Sequence, residues 1–108
     1  MGRKKREKPA RLSEKLRQIR EALGLSQLEL VRRMGLEDRL TKSEISAFER
    51  GTHEPNLLVL LAYSDIANVF LEVLVRDSLD LPDNLPSPSK HQGVSKKIKS
   101  RNARGRKN

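Results

Sequence analysis

The sequence predicts an all-α protein: five helices between two basic tails. Three observations predict it. Apolar residues recur at spacings of three and four, and neither a strand pattern nor an internal repeat competes with them. Two segments, Ser26 to Gly35 and Thr41 to Gly51, each carry a complete set of helix start and stop signals. Beyond residues 12–83 the composition shifts toward Lys, Arg, Ser, Pro and Gly, with almost nothing to bury.

The first helix starts near Ser13, with Leu12, Leu16, Ile19 and Leu23 on one face, and Gly24 ends it. The second and third are short. Ser26 with Glu29, and Thr41 with Glu44, are S/T-x-x-E capping boxes, in which hydroxyl and carboxylate satisfy each other's orphan backbone N–H groups. Gly35 and Gly51 stand where a helix end needs a residue that tolerates left-handed φ. The fourth helix follows Pro55, with Asn56 as N-cap, and carries Leu57, Leu58, Leu60, Leu61, Tyr63, Ile66 and Ala67 up to a stop at Asn68. The fifth covers about Leu71 to Arg76, and Asp80-Leu-Pro-Asp closes the domain. The boundaries are a basic arm over 1–11, a helical domain over 12–83, and a basic tail over 84–108 that is disordered when free.

Two helices of two to three turns bury little alone. In tandem they suggest a helix-turn-helix whose second helix is presented to something, usually the major groove of DNA. The wording resembles the phage-repressor and Cro-type (lambda-repressor-like) helix-turn-helix family. The pattern runs from Leu16 through Ile19-Arg20, Leu23-Gly24-Leu25-Ser26-Gln27, Leu30-Val31, Met34-Gly35, Ile45-Ser46 and Phe48-Glu49-Arg50-Gly51 to Pro55 and Leu74. Three departures stand out. Val31 replaces a small residue, Glu37 to Leu40 is an insertion of about four residues, and Phe70 stands where a capping Ser or Thr is usual.

In the third helix Ile45 and Phe48 face the core, which leaves Lys42, Ser43, Ser46 and Ala47 facing away. By resemblance the base-reading positions fall on Lys42, Ser43 and Ala47, with Ser46 near the backbone or a base. Lys42 suits guanine O6 and N7, Ser43 donates or accepts, and Ala47 offers a methyl to thymine. The resemblance also implies a DNA contact for Gln27, whose N–H opens a helix and favours phosphate. Thr41 and Arg50, at the two ends of the helix, join this DNA-binding set. Arg20 and Glu49 are the pair the family joins in a partly buried salt bridge, with a structural role. Phe70 and Val73 form the expected patch for a homodimer.

The net charge of +9 is uneven. Residues 1–11 hold six basic residues, including Arg3, Lys4, Lys5 and Arg6, against one acid. Residues 84–108 hold eight and no acid, whereas 12–83 hold nine against thirteen. The body is therefore mildly acidic, and the tails supply a positive field suited to phosphates. There is no cysteine, so disulfides and thiol chemistry are excluded, which suits a reducing compartment. No run of 18 apolar residues suggests a membrane span, and no apolar segment follows the basic start as a signal peptide requires. Without a Gly-rich phosphate loop, a metal-ligand cluster or a histidine beside a nucleophile, nothing points to an enzyme, a cofactor or a metal.

The expected function is a cytoplasmic, nucleoid-associated, sequence-specific regulator that binds double-stranded DNA as a homodimer. Two readings stay open beside it. One is an autoregulating antitoxin whose C-terminal tail binds a protein partner. The other is a protein-interaction module that kept the fold without base reading, which the acidic body favours. An RNA-binding reading rests on the Arg-rich tail alone and lacks interleaved aromatics for stacking.

Overall fold

A computed structural model describes residues 7–90. Among them are five helices and no strand: α1 Leu12–Ala22, α2 Gln27–Arg33, α3 Lys42–Arg50, α4 Leu57–Ala67 and α5 Leu71–Val75. α1 starts one residue before the expected Ser13, with Arg11 at its N-cap. Both capping boxes form with reciprocal bonds, and Asn56 Oδ1 accepts from the Val59 N–H at the start of α4. Phe70 takes the N-cap position of α5 without a side-chain capping bond, as a ring with no acceptor must.

α1 packs against α3, α4 and α5, and α2 packs against α3. The core runs through Leu16, Ile19, Leu30, Ile45, Tyr63, Val69 and Leu74, all fully buried. Several helices end alike. After Gly51 (φ +77°) the Thr52 N–H reaches back to the Ala47 carbonyl at 3.0 Å; after Asn68 (φ +56°) the Val69 N–H reaches the Ser64 carbonyl at 3.0 Å. Both are left-handed exits of the Schellman type, which only glycine and asparagine adopt at low cost.

The loop at Glu37–Leu40 is anchored. The Leu36 carbonyl accepts from both Arg39 N–H and Leu40 N–H at 2.9 Å, closing one helical turn, and Leu40 plugs into the core. The step from α2 to α3 is thus a packed turn, with the α3 start signal intact.

Three expectations need correction. Val73 is fully buried in the core, so it cannot belong to a surface dimer patch; Phe70 keeps some exposure. The five-residue α5 buries Val73 and Leu74 together because α1 and α4 enclose it from two sides. The tail does not begin at residue 84. Ser87 is buried, its N–H donates to the Ala67 carbonyl at 2.8 Å, Asn68 Nδ2 donates to the Ser87 carbonyl at 2.7 Å, and Leu85 packs on the core. At the other end, the expected arm of 1–11 has its last residues tied down. The Asp77 carboxylate accepts the Ala10 and Arg11 N–H groups, each at 3.0 Å. The Arg11 guanidinium reaches the Asp77 carbonyl and the Asp80 carboxylate, each at 2.9 Å.

Those two backbone N–H donors hold the Asp77 carboxyl below its ordinary value of 3.8. A depressed carboxyl contributes its stability above the unfolded value and loses it as pH falls through the folded one. The Ala10 and Arg11 amide proton shifts should therefore titrate with a midpoint below 3.8, and Asp77→Asn should abolish the transition. Midpoints at or above 3.8 would mean that the clamp does not form in solution.

The largest surprise is Lys15. It lies on the apolar face of α1, fully buried, and its Nζ donates to the carbonyls of Val73 at 2.8 Å, Arg76 at 3.0 Å and Leu79 at 2.7 Å. Its three protons thus cap the end of α5 and the turn beyond it.

Candidate nucleic-acid interface

α3 is built to present one face. Ile45 and Phe48 go inward, and at 3.6 residues per turn Lys42, Ser46 and Arg50 then line up outward with Ser43 beside them. Lys42, Ser43 and Arg50 are exposed, and Ser46 is half-buried. Thr41 spends its hydroxyl on the cap, accepting from the Glu44 N–H at 3.2 Å, and is itself exposed. Arg50 Nη1 donates to Ser46 Oγ at 3.2 Å, so two outward polar groups already meet.

Ala47 does not fit the expected set as well. It is 8% exposed, on the edge of the outward face. The chain after Gly51 doubles back on this edge, and the Ala47 carbonyl accepts from Thr52 N, Thr52 Oγ1 and His53 N. A single methyl stands too close to the helix surface to escape that turn. Its expected role as an outward-facing base reader is corrected to that of an edge position.

Behind the face lies the ion pair that the resemblance implied. Arg20 Nε and Nη2 donate to the Glu49 carboxylate at 2.6 and 2.9 Å, side by side. The two side chains are 17% and 6% exposed. The remaining Arg20 terminal nitrogen donates to the Leu25 carbonyl at 2.9 Å. Gln27 Nε2 donates to Glu49 Oε1 at 3.4 Å. One network therefore ties α1, the turn after it, the start of α2 and the inner side of α3. The hydrogen bond to Glu49 raises the Arg20 pKa above its ordinary value, so the guanidinium is charged at every working pH. Beside this pair sits Tyr63, whose buried hydroxyl has no hydrogen-bond partner among the described residues and whose pKa burial pushes up.

The N-terminal segment comes close to the far end of α3. Lys8, Pro9 and Ala10 share a surface pocket with Phe48, Gly51 and His53, and Ser13 lies against Gly51. Arg3, Lys4, Lys5 and Arg6 lie outside the described residues, as does the tail from residue 91. Lys15 and Asp77, which sequence reasoning missed, serve the scaffold and do not reach this face. Lys15 had a signal, since its position falls within the Leu12, Leu16, Ile19 stripe.

An all-helical body that presents the polar face of a capped short helix, braced by a second, has the architecture of a DNA-binding helix-turn-helix domain. The family model described as helix-turn-helix matches residues 16–74, more than half of the chain. The chain belongs to that family, whose members are DNA-binding regulators and not a class of enzyme, in line with the phage-repressor-like motif. No curated protein and no solved structure matches the chain. Among the described residues no helix is long and apolar enough to cross a membrane.

Proposed function

We propose that this chain is a sequence-specific regulator that reads double-stranded DNA with α3 in the major groove and acts as a homodimer. The observation that carries the reading is the outward face of α3. Lys42 and Ser43 stand exposed at its first turn, the part that meets base edges when a helix enters the groove N-terminus first. Ser46 and Arg50 continue that face, and Gln27 and Thr41 flank it at the starts of α2 and α3. Gln27 and Arg50 serve phosphates, whereas Lys42 and Ser43 carry the base preference.

The tails supply what the acidic body lacks. Lys8, Pro9 and Ala10 lie beside Gly51 and His53, at the C-terminal end of α3, and the basic stretch Arg3–Arg6 precedes them in the sequence. Cationic arms add phosphate contacts without reading sequence.

Selection of bound fragments from a random duplex pool tests this. Lys42→Ala and Ser43→Ala should each flatten the preference at particular base positions, by about 1–3 kcal/mol of discrimination per lost contact, while non-specific binding survives. In the same assay, deletion of residues 1–8 should leave the preferred sequence intact and reduce the salt dependence. Unchanged selectivity in both alanine variants would mean that the register assigned to α3 is wrong and other residues carry the base preference, whereas a pool from which the parent enriches no sequence would favour the protein-interaction reading.

A further inference from the structure

α4 should have a polar outer side, and it does not. On a surface helix the face opposite the core carries charged and polar residues. Val59, Leu60, Tyr63, Ser64 and Ala67 point inward. At 100° per residue the opposite face consists of Leu57, Leu58, Leu61, Ala62 and Asp65. The three leucines are 65%, 67% and 44% exposed, more than any other large apolar residue among those described. None of them belongs to the core cluster or to the apolar residues packed against it, so their apolar character calls for a covering surface.

We propose that the outer face of α4 docks on the same face of a second copy, with the two helices antiparallel about a two-fold axis near Leu61. This deepens the homodimer reading above and rests on it, and it moves the interface from Phe70 and Val73 to α4. The occupant follows from how charge is laid out on the face. Its first turn carries no acidic residue, and its single carboxylate, Asp65, lies two turns further on, with the partly exposed Lys90 ammonium of its own chain at 3.9 Å. An antiparallel pair sets the Leu57–Leu58 end of each helix beside Asp65 of the other copy. Each carboxylate then meets the positive end of a helix dipole while the leucines close over one another. A parallel pair would set Asp65 against Asp65.

The size of the face sets the strength. Three leucines and an alanine fall short of the ~800 Å² per partner of a stable interface. The free protein should therefore associate weakly, and two adjacent half-sites on one duplex should strengthen the pairing through effective concentration.

The test uses the full chain and its variants at position 61, which a two-fold axis brings face to face with itself. In sedimentation equilibrium up to about 1 mM, the range of a weak complex, the parent's mass should climb from 12.3 kDa toward twice that value. Leu61→Glu and Leu61→Lys should each raise the dissociation constant by at least about tenfold through like-charge contact. An equimolar mixture of the two should recover dimers. Leu61→Ser, which adds no charge, should also weaken association and guards against a folding defect, with helical circular dichroism unchanged. Variants that dimerise like the parent would overturn the α4 face while leaving the dimer reading intact. Single variants that stay monomeric and fail to recover on mixing would show that something other than a second α4 covers the face. A parent that stays monomeric, even on a duplex with two half-sites, would bring down the homodimer reading itself.

Discussion

Lys15→Met is expected to be among the most destabilising single substitutions in the chain, lowering the unfolding free energy by about 3 kcal/mol. Methionine keeps the apolar stem and the volume, so packing changes little. The loss lies at the tip, where the carbonyls of Val73, Arg76 and Leu79 lose their shared donor. An unsatisfied buried acceptor costs about 1–3 kcal/mol. Against this, the variant no longer has to bury an ammonium, which returns part of the cost. The net should appear as a fall in melting temperature of roughly 10–20 °C for a domain of this size.

Burial also pushes the Lys15 pKa down from 10.5, against the smaller upward pull of Asp77, Asp80 and Glu14. In the window between the folded value and 10.5 the unfolded chain binds more protons, so this group makes stability rise with pH there, and methionine removes that rise. Urea melts of both proteins at neutral and alkaline pH check both effects. A change under about 1 kcal/mol at neutral pH would mean that the three carbonyls are satisfied without the lysine.

Lys15 also shows where sequence reasoning stops. Periodicity counted Leu12, Leu16 and Ile19 as the inward stripe of α1 and passed over the lysine among them, since lysine is almost never fully buried without a partner. Its partners are backbone carbonyls 58 to 64 residues away, which no local pattern encodes. Helix starts and stops, by contrast, were legible, because capping is a matter of three or four consecutive residues. Ser26 with Glu29, Thr41 with Glu44, Asn56, Gly51 and Asn68 all do locally what their types suggest.

Val73 and Ala47 were misjudged for one reason. Exposure depends on what other elements lie alongside, and α5 is enclosed from two sides while the turn after α3 closes over Ala47. Residues 84–90 have a composition that looks unfoldable, yet Leu85 packs on the core and Ser87 is held at the end of α4 by the Ala67 carbonyl and the Asn68 side-chain amide. The candidate interface was read at the level of its face. The bond from Gln27 to Glu49, by contrast, required the fold.

Glu49→Ala should cost as much as the loss of Lys15, about 3 kcal/mol, and should carry a second penalty in DNA binding. Removing one member of a buried ion pair costs about 3–5 kcal/mol, because the partner charge stays behind without compensation. The lower end applies here, because Arg20 is 17% exposed and keeps its bond to the Leu25 carbonyl. The functional penalty has a separate cause. The carboxylate is the point at which α1 and Gln27 grip the inner side of α3, so its loss frees the angle at which Lys42 and Ser43 are presented. Specific binding should therefore weaken more than non-specific binding, at a temperature where the variant is still folded. The double variant Arg20→Met/Glu49→Leu separates the two effects. It leaves no orphaned charge, so its stability should recover above that of Glu49→Ala, with strong non-additivity between the two sites. Its binding preference should stay impaired, because two apolar side chains fix no angle by hydrogen bonds. Additive losses in stability would mean that Arg20 and Glu49 are not coupled in solution. Full recovery of sequence preference in the double variant would mean that apolar packing alone sets the pose of α3, and that the ion pair contributes to stability without serving recognition.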